Sequence, residues 1–100
     1  MDQIAYKIMS ATELALMRRD GVFHGSAVDI ADGYIHLSTK AQLAETLAKH
    51  FRGMTDLVVL AVDLSRVADP VRWEESRGGQ LFPHIYGSLS LDAVISTEPA

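Results

Sequence analysis

Ile4, Tyr6 and Ile8 alternate with Ala5, Lys7 and Met9 at the period of two that marks a β-strand. Directly after it, Ser10-Ala11-Thr12-Glu13 has capping-box spacing, in which the serine oxygen takes a first-turn amide and the glutamate returns to the cap amide. A short helix to about Arg19 is predicted, stopped at Gly21. From Gly21 to Gly33 neither period persists, and the stretch reads as a loop around a short strand at Val22 to His24. Tyr34 to Ser38 is the second clear strand. Thr39-Lys40-Ala41-Gln42 repeats the capping-box spacing, and Leu43, Ala44, Leu47, Ala48 and Phe51 share one helical face before Gly53, the expected stop.

The second half of the chain reads as strands alone. Leu57 to Leu64 is apolar on both faces apart from Asp63, as in a central strand covered on each side. Pro70 to Glu74 and Leu81 to Tyr86 are further short strands, divided by Glu75-Ser76-Arg77-Gly78-Gly79, and Leu91 to Ile95 is the last. This order predicts an α+β fold: a bent, mostly antiparallel, split β-sheet or barrel core with two short helices. A doubly wound parallel sheet would need helices between the later strands.

Length and charge narrow the function classes. One hundred residues support a single domain spanning 1–100. Nine Lys plus Arg against 13 Asp plus Glu give a charge of −4, with the cations scattered, which argues against generic nucleic-acid binding. A small-molecule nucleotide, which needs one or two donors and an aromatic wall, stays compatible. The longest apolar run, Leu57 to Val62, is far short of the roughly 20 residues of a membrane-spanning helix, so no membrane partner is expected. The Met1-Asp2-Gln3 start lacks a secretory pattern and the chain has no cysteine, so a cytoplasmic location is expected. His24, His36, His50 and His84 show no paired-ligand spacing, and no metal is expected. Oligomeric state is not legible.

Two segments carry candidate chemistry. Alternation puts Tyr34, His36 and Ser38 on one strand face, where stiff or short hydrogen-bonding groups suit a cleft. A half-buried histidine bonded to a backbone carbonyl would give the same pattern. Phe82, His84 and Tyr86 share a face in the same way, with Pro83 expected at an edge or bulge. They serve equally as core aromatics around a surface histidine. Arg72 and Glu74 lie opposite Trp73, and because burying an unpaired carboxylate costs several kcal/mol, Glu74 must be exposed or paired. Ser76 to Gln80 is either a plain hairpin connection or a turn that closes over a ligand.

Asp32-Gly33-Tyr34-Ile35-His36-Leu37-Ser38-Thr39, Arg72-Trp73-Glu74 and Gly79-Gln80-Leu81-Phe82-Pro83-His84-Ile85-Tyr86-Gly87, together with Gly25-Ser26 and Asp29, closely resemble the small bacterial family of domains of unknown function numbered 952. The resemblance spans nearly the whole chain. It implies kinship with the ADP-ribosyltransferase-like superfamily, hence a split β-core with NAD or an ADP-ribose-like ligand in a central cleft. The tRNA 2′-phosphotransferases of that superfamily carry a similar His-Leu-Ser, which would set His36 and Ser38 at the nucleotide. Those enzymes line their pocket with arginines, whereas Asp29 and Asp32 precede His36 here, which counts against RNA 2′-phosphate chemistry. For an NAD-utilising or ADP-ribose-handling enzyme the candidate catalytic residues are His36, Glu74 and His84, Glu74 without a family motif that aligns it. The candidate ligand-binding residues are Ser26, Tyr34, Ser38, Thr39, Arg72, Trp73 and Tyr86, with NAD as the expected substrate. A non-catalytic nucleotide-binding module is the alternative. On either reading the main pocket should be lined by Tyr34, His36, Ser38, Trp73 and Tyr86 and bordered by Gly78-Gly79.

Overall fold

The computed structural model describes residues 2–100, with the backbone alone at Arg77; Met1, part of the chain start read above for targeting, lies outside the described residues. Strand β1 (Ile4–Ser10) leads into helix α1 (Ala11–Asp20) through the expected capping box at Ser10 and Glu13, and Gly21 ends the helix in the left-handed conformation at φ 76°. The buried side of β1 is that of Ala5, Lys7 and Met9, with Ile8 also buried and Ile4 exposed.

Strand β2 (Val22–Phe23) falls where expected, but the rest of the Gly21–Gly33 stretch is not loop. It contains helix α2 (Ala27–Asp32), making three α-helices among the described residues rather than two. Its signal is a third capping box, with Ser26 as cap and Asp29 in the place of the usual glutamate. Hydrophobic period could not reveal it, because the only buried residue of α2 is the charged Asp29 while Val28 and Ile30 face solvent.

Strand β3 covers only Ile35–His36, and the capping box of Thr39 and Gln42 opens helix α3 (Lys40–His50). That helix ends on Phe51; Gly53 bends the chain two residues later at φ 78° and is not the cap. Strands β4 (Leu57–Asp63), β5 (Val71–Glu75), β6 (Leu81–Ile85), β7 (Leu89–Ser90) and β8 (Val94–Pro99) follow. Leu91–Ala93, expected at the start of the last strand, is a turn of 3-10 helix.

All strand pairs are antiparallel, in three sheets ordered β1-β4-β8, β2-β7 and β3-β6-β5. Strand β4 is central, as its apolar run implied. The core between the sheets is built on Met9, Met17, Ile35, Leu60, Val62, Ile85 and Leu89.

The sheets do not close into a barrel: one isolated bridge, Tyr6 to Ser38, ties the first to the third. Pro83 explains why β3 is short. It sits in the central strand β6 rather than at an edge, and its carbonyl accepts from Leu37 N–H at 3.0 Å. In an antiparallel ladder the nitrogen of that residue faces the same neighbour. Proline has no hydrogen there, so the β3 ladder stops after His36 and Ser38 pairs with Tyr6 instead. At the far end of β6, a Cβ on Gly87 would run into the Asp69 carboxylate, which accepts from Ser88 N–H at 2.7 Å.

Candidate functional site

In the β3-β6-β5 sheet His36 lies opposite His84, His84 opposite Arg72, and Phe82 opposite Glu74. Residues paired across an antiparallel ladder share a face, so strand alternation gathers His36, His84, Arg72 and Glu74 on one side. Val71, Trp73, Pro83, Ile35 and Ile85 take the other, which puts Trp73 away from the site.

The aromatic groups touch one another. The Tyr34 ring stacks on His84 with centroids 4.1 Å apart, and lies 4.7 Å from His36 and 5.2 Å from Tyr86. The two imidazoles meet edge to face at 5.4 Å, so the two motifs converge as alternation implied. The Arg72 guanidinium lies 4.7 Å from the Tyr86 ring centroid.

Each histidine has a carboxylate. Glu74 Oε1 accepts from His84 Nδ1 at 2.8 Å and from the Tyr86 hydroxyl at 2.7 Å. The bond from His84, then that from Tyr86, hold the Glu74 carboxyl below its ordinary range, and the bond to Glu74 pushes the Tyr86 phenol up. An ionised carboxylate can only accept, so Nδ1 of His84 carries a proton. Glu74 is therefore paired and still part-exposed, at 36% of its side-chain area.

Asp29 is the hub of the second pair. Its Oδ2 accepts from Lys7 Nζ at 2.8 Å and Ser26 N–H at 2.9 Å, and its Oδ1 from the His36 N–H at 3.1 Å and His36 Nδ1 at 2.7 Å. Burial alone would raise its pKa, but the bond from His36 and the charge of Lys7 outweigh it and hold the carboxyl well below the usual carboxylate range. His36 Nε2 meets Asp32 Oδ2 at 2.9 Å. The His36 ring thus lies between two carboxylates, the buried Asp29 on Nδ1 and the part-exposed Asp32 beside Nε2.

Lys7, Asp29 and Asp32 were missing from the expected site residues. One signal was present: a lysine between Ala5 and Met9 on a strand face needs a buried carboxylate if that face is the buried one.

Several expected ligand contacts serve the fold. Ser26 and Thr39 cap α2 and α3, and the buried Ser38 hydroxyl bonds Thr46 Oγ1 at 3.0 Å. The Ser76–Gln80 connection is a tight turn closed by Ser76 N–H on the Gln80 carbonyl at 2.9 Å. The expected pocket lining is also corrected. A concavity of about 230 Å³ is lined by His24, Asp29, Ile30, Gly33, Ile35 and Gly87, and shares only Tyr34 with that expectation. The aromatic rings pack against each other, and of them Tyr34 lines this concavity. Among the described residues no group of three or more His, Asp or Glu side chains converges as a metal site would, and no helix is long and apolar enough to cross a membrane.

Residues 8–97 match the family described as protein of unknown function (DUF952). The chain belongs to this family. The fold is shared with protein CC0527 of Caulobacter crescentus: against its crystal structure the TM-score is 0.91 at 46% identity, covering 96% of this chain and 84% of that one. Its solution structure gives 0.85 at 45% identity, covering 98% and 84%. No curated protein matches the chain.

Proposed function

We propose that the face formed by Tyr34, His36, Glu74, His84 and Tyr86 binds NAD or an ADP-ribose-like nucleotide, and that Glu74 assists cleavage of the bond between nicotinamide and ribose. One observation carries this reading: Glu74 is held ionised by His84 and Tyr86 and yet keeps 36% of its side chain exposed. When the glycosidic bond breaks, nicotinamide leaves with the bonding electron pair and positive charge develops on the ribose. A fixed carboxylate beside that charge lowers the barrier. Water, the simplest acceptor, then adds to the anomeric carbon and releases a proton.

The neighbouring groups suit the rest of such a ligand. The Tyr34 and Tyr86 rings offer stacking surfaces, Arg72 beside Tyr86 offers charge to a diphosphate, and His36 offers a donor to ribose or phosphate. The resemblance of His36-Leu37-Ser38 to the His-Leu-Ser of the tRNA 2′-phosphotransferases, members of the ADP-ribosyltransferase-like superfamily, points the same way. The alternative, a binding module without chemistry, is favoured by the concavity lying to one side of this face.

Calorimetric titration with NAD and ADP-ribose, with nicotinamide release followed in parallel, separates the two. Wild type should bind and release nicotinamide, while Glu74→Gln should keep binding and lose release by at least about 100-fold. Binding without release by wild type assigns the binding module. Binding of neither ligand overturns the nucleotide reading altogether.

A further inference from the structure

We infer that the outer nitrogen of His36 is an anion subsite which Asp32 fills in the free protein, and that a phosphate of the ligand displaces Asp32 from it. The inference rests on the reading above for the ligand's identity, though not for the anion itself.

The two contacts of the His36 ring differ in kind. The inner one, Nδ1 to Asp29 at 2.7 Å, involves a carboxylate only 2% exposed and tied at 2.8 Å to Lys7. It cannot be exchanged without opening the fold. The outer one, Nε2 to Asp32 at 2.9 Å, joins side chains 34% and 47% exposed, so water and solutes compete for it.

Asp32 is also poorly placed for any other role. It is the last residue of α2, a helix with no basic residue in its final turn, and the carbonyl end of a helix disfavours a carboxylate. Its one ion pair among the described residues is with His36. Lys7 and Asp29 cancel each other, which leaves the outer nitrogen of the ring to Asp32. A phosphate oxygen accepts a hydrogen bond as a carboxylate oxygen does, and carries its charge to the same nitrogen. A permanent cation lies in the same cross-strand row: His36, His84 and Arg72 are register partners on β3, β6 and β5. Neighbouring strands are about 4.8 Å apart, so the row spans roughly 10 Å between backbones, within reach of one diphosphate held between two long side chains.

The test titrates wild type, Asp32→Ala and Asp32→Asn with inorganic pyrophosphate, ADP-ribose and adenosine, following the His36 ring by NMR. Both variants should bind pyrophosphate on the order of tenfold tighter than wild type. His36→Ala added to Asp32→Ala should abolish the gain, and adenosine affinity should not move. Unchanged or weaker pyrophosphate binding in both variants, or a gain that survives His36→Ala, overturns the inference. Should Asp32→Ala fail to fold, Asp32→Asn decides alone. If pyrophosphate tightens while ADP-ribose binds to none of the proteins, the nucleotide reading falls and the subsite stands. If ADP-ribose binds wild type and variants equally, the subsite falls and the nucleotide reading stands.

Discussion

At His36 the carboxylate is the buried partner, with Asp29 2% exposed against 34% for the imidazole, whereas at His84 the imidazole is buried, 6% exposed against 36% for Glu74. The two pairs use the same chemistry, a carboxylate on Nδ1, and turn opposite ends toward water. The difference follows from what surrounds each carboxylate. Asp29 is compensated by Lys7 and two backbone N–H groups, so it can leave water. Glu74 has a histidine and a phenol, enough to orient it at the surface. The first pair anchors α2 to the sheets and presents a donor; the second presents an anion. One sheet face thus offers both a donor and an anion, with the two imidazole centroids 5.4 Å apart.

Removing charge from the buried pair should do most damage. Lys7→Met leaves the buried Asp29 without its lysine and should cost about 3–5 kcal/mol in urea denaturation. A loss below about 1 kcal/mol would erase the contrast between the pairs. The pH dependence sharpens it further. Because the folded pKa of Asp29 is depressed, its contribution to stability is present above the unfolded value of about 3.9 and is lost as pH falls toward the folded one. Wild-type stability should therefore decline below about pH 4, and Asp29→Asn should flatten that limb even though it lowers the plateau.

Smaller changes separate anchoring from presentation. Ser26→Ala removes the α2 cap and should cost about 1 kcal/mol by thermal denaturation. His36→Ala takes away a part-exposed ring and leaves the Ile35 and Leu37 packing intact, so a loss of about 1 kcal/mol is expected beside a much larger loss of ADP-ribose affinity in calorimetry. A large fall in melting temperature with unchanged affinity would make His36 a purely structural residue. Glu74→Gln should barely move the melting temperature, since its bonds lie at the surface; a shift as large as that of Lys7→Met would show both pairs to be structural anchors.

Short-range chemistry was legible in the order of residues. The capping boxes at Ser10 and Thr39 join residues three apart, so they form whatever the rest of the chain does. Alternation in two short strands sufficed to place His36 and His84 on polar faces, and the family motifs coincide with those strands. Helix α2 escaped because its anchor is an ion pair and its apolar side chains face outward, the reverse of the period that reveals a helix.

The tertiary structure alone decided which groups meet. Lys7 and Asp29 are 22 positions apart, and Glu74 and His84 are brought together by the register of β5 on β6. Whether a lysine on β1 points into the core or out of it depends on which face the other sheets cover, which the β1 pattern leaves open because both its faces carry apolar residues. The same holds for Pro83. Its lack of an N–H is written in the chain, but that this ends β3 after His36 depends on the Pro83 nitrogen facing β3 in the fold.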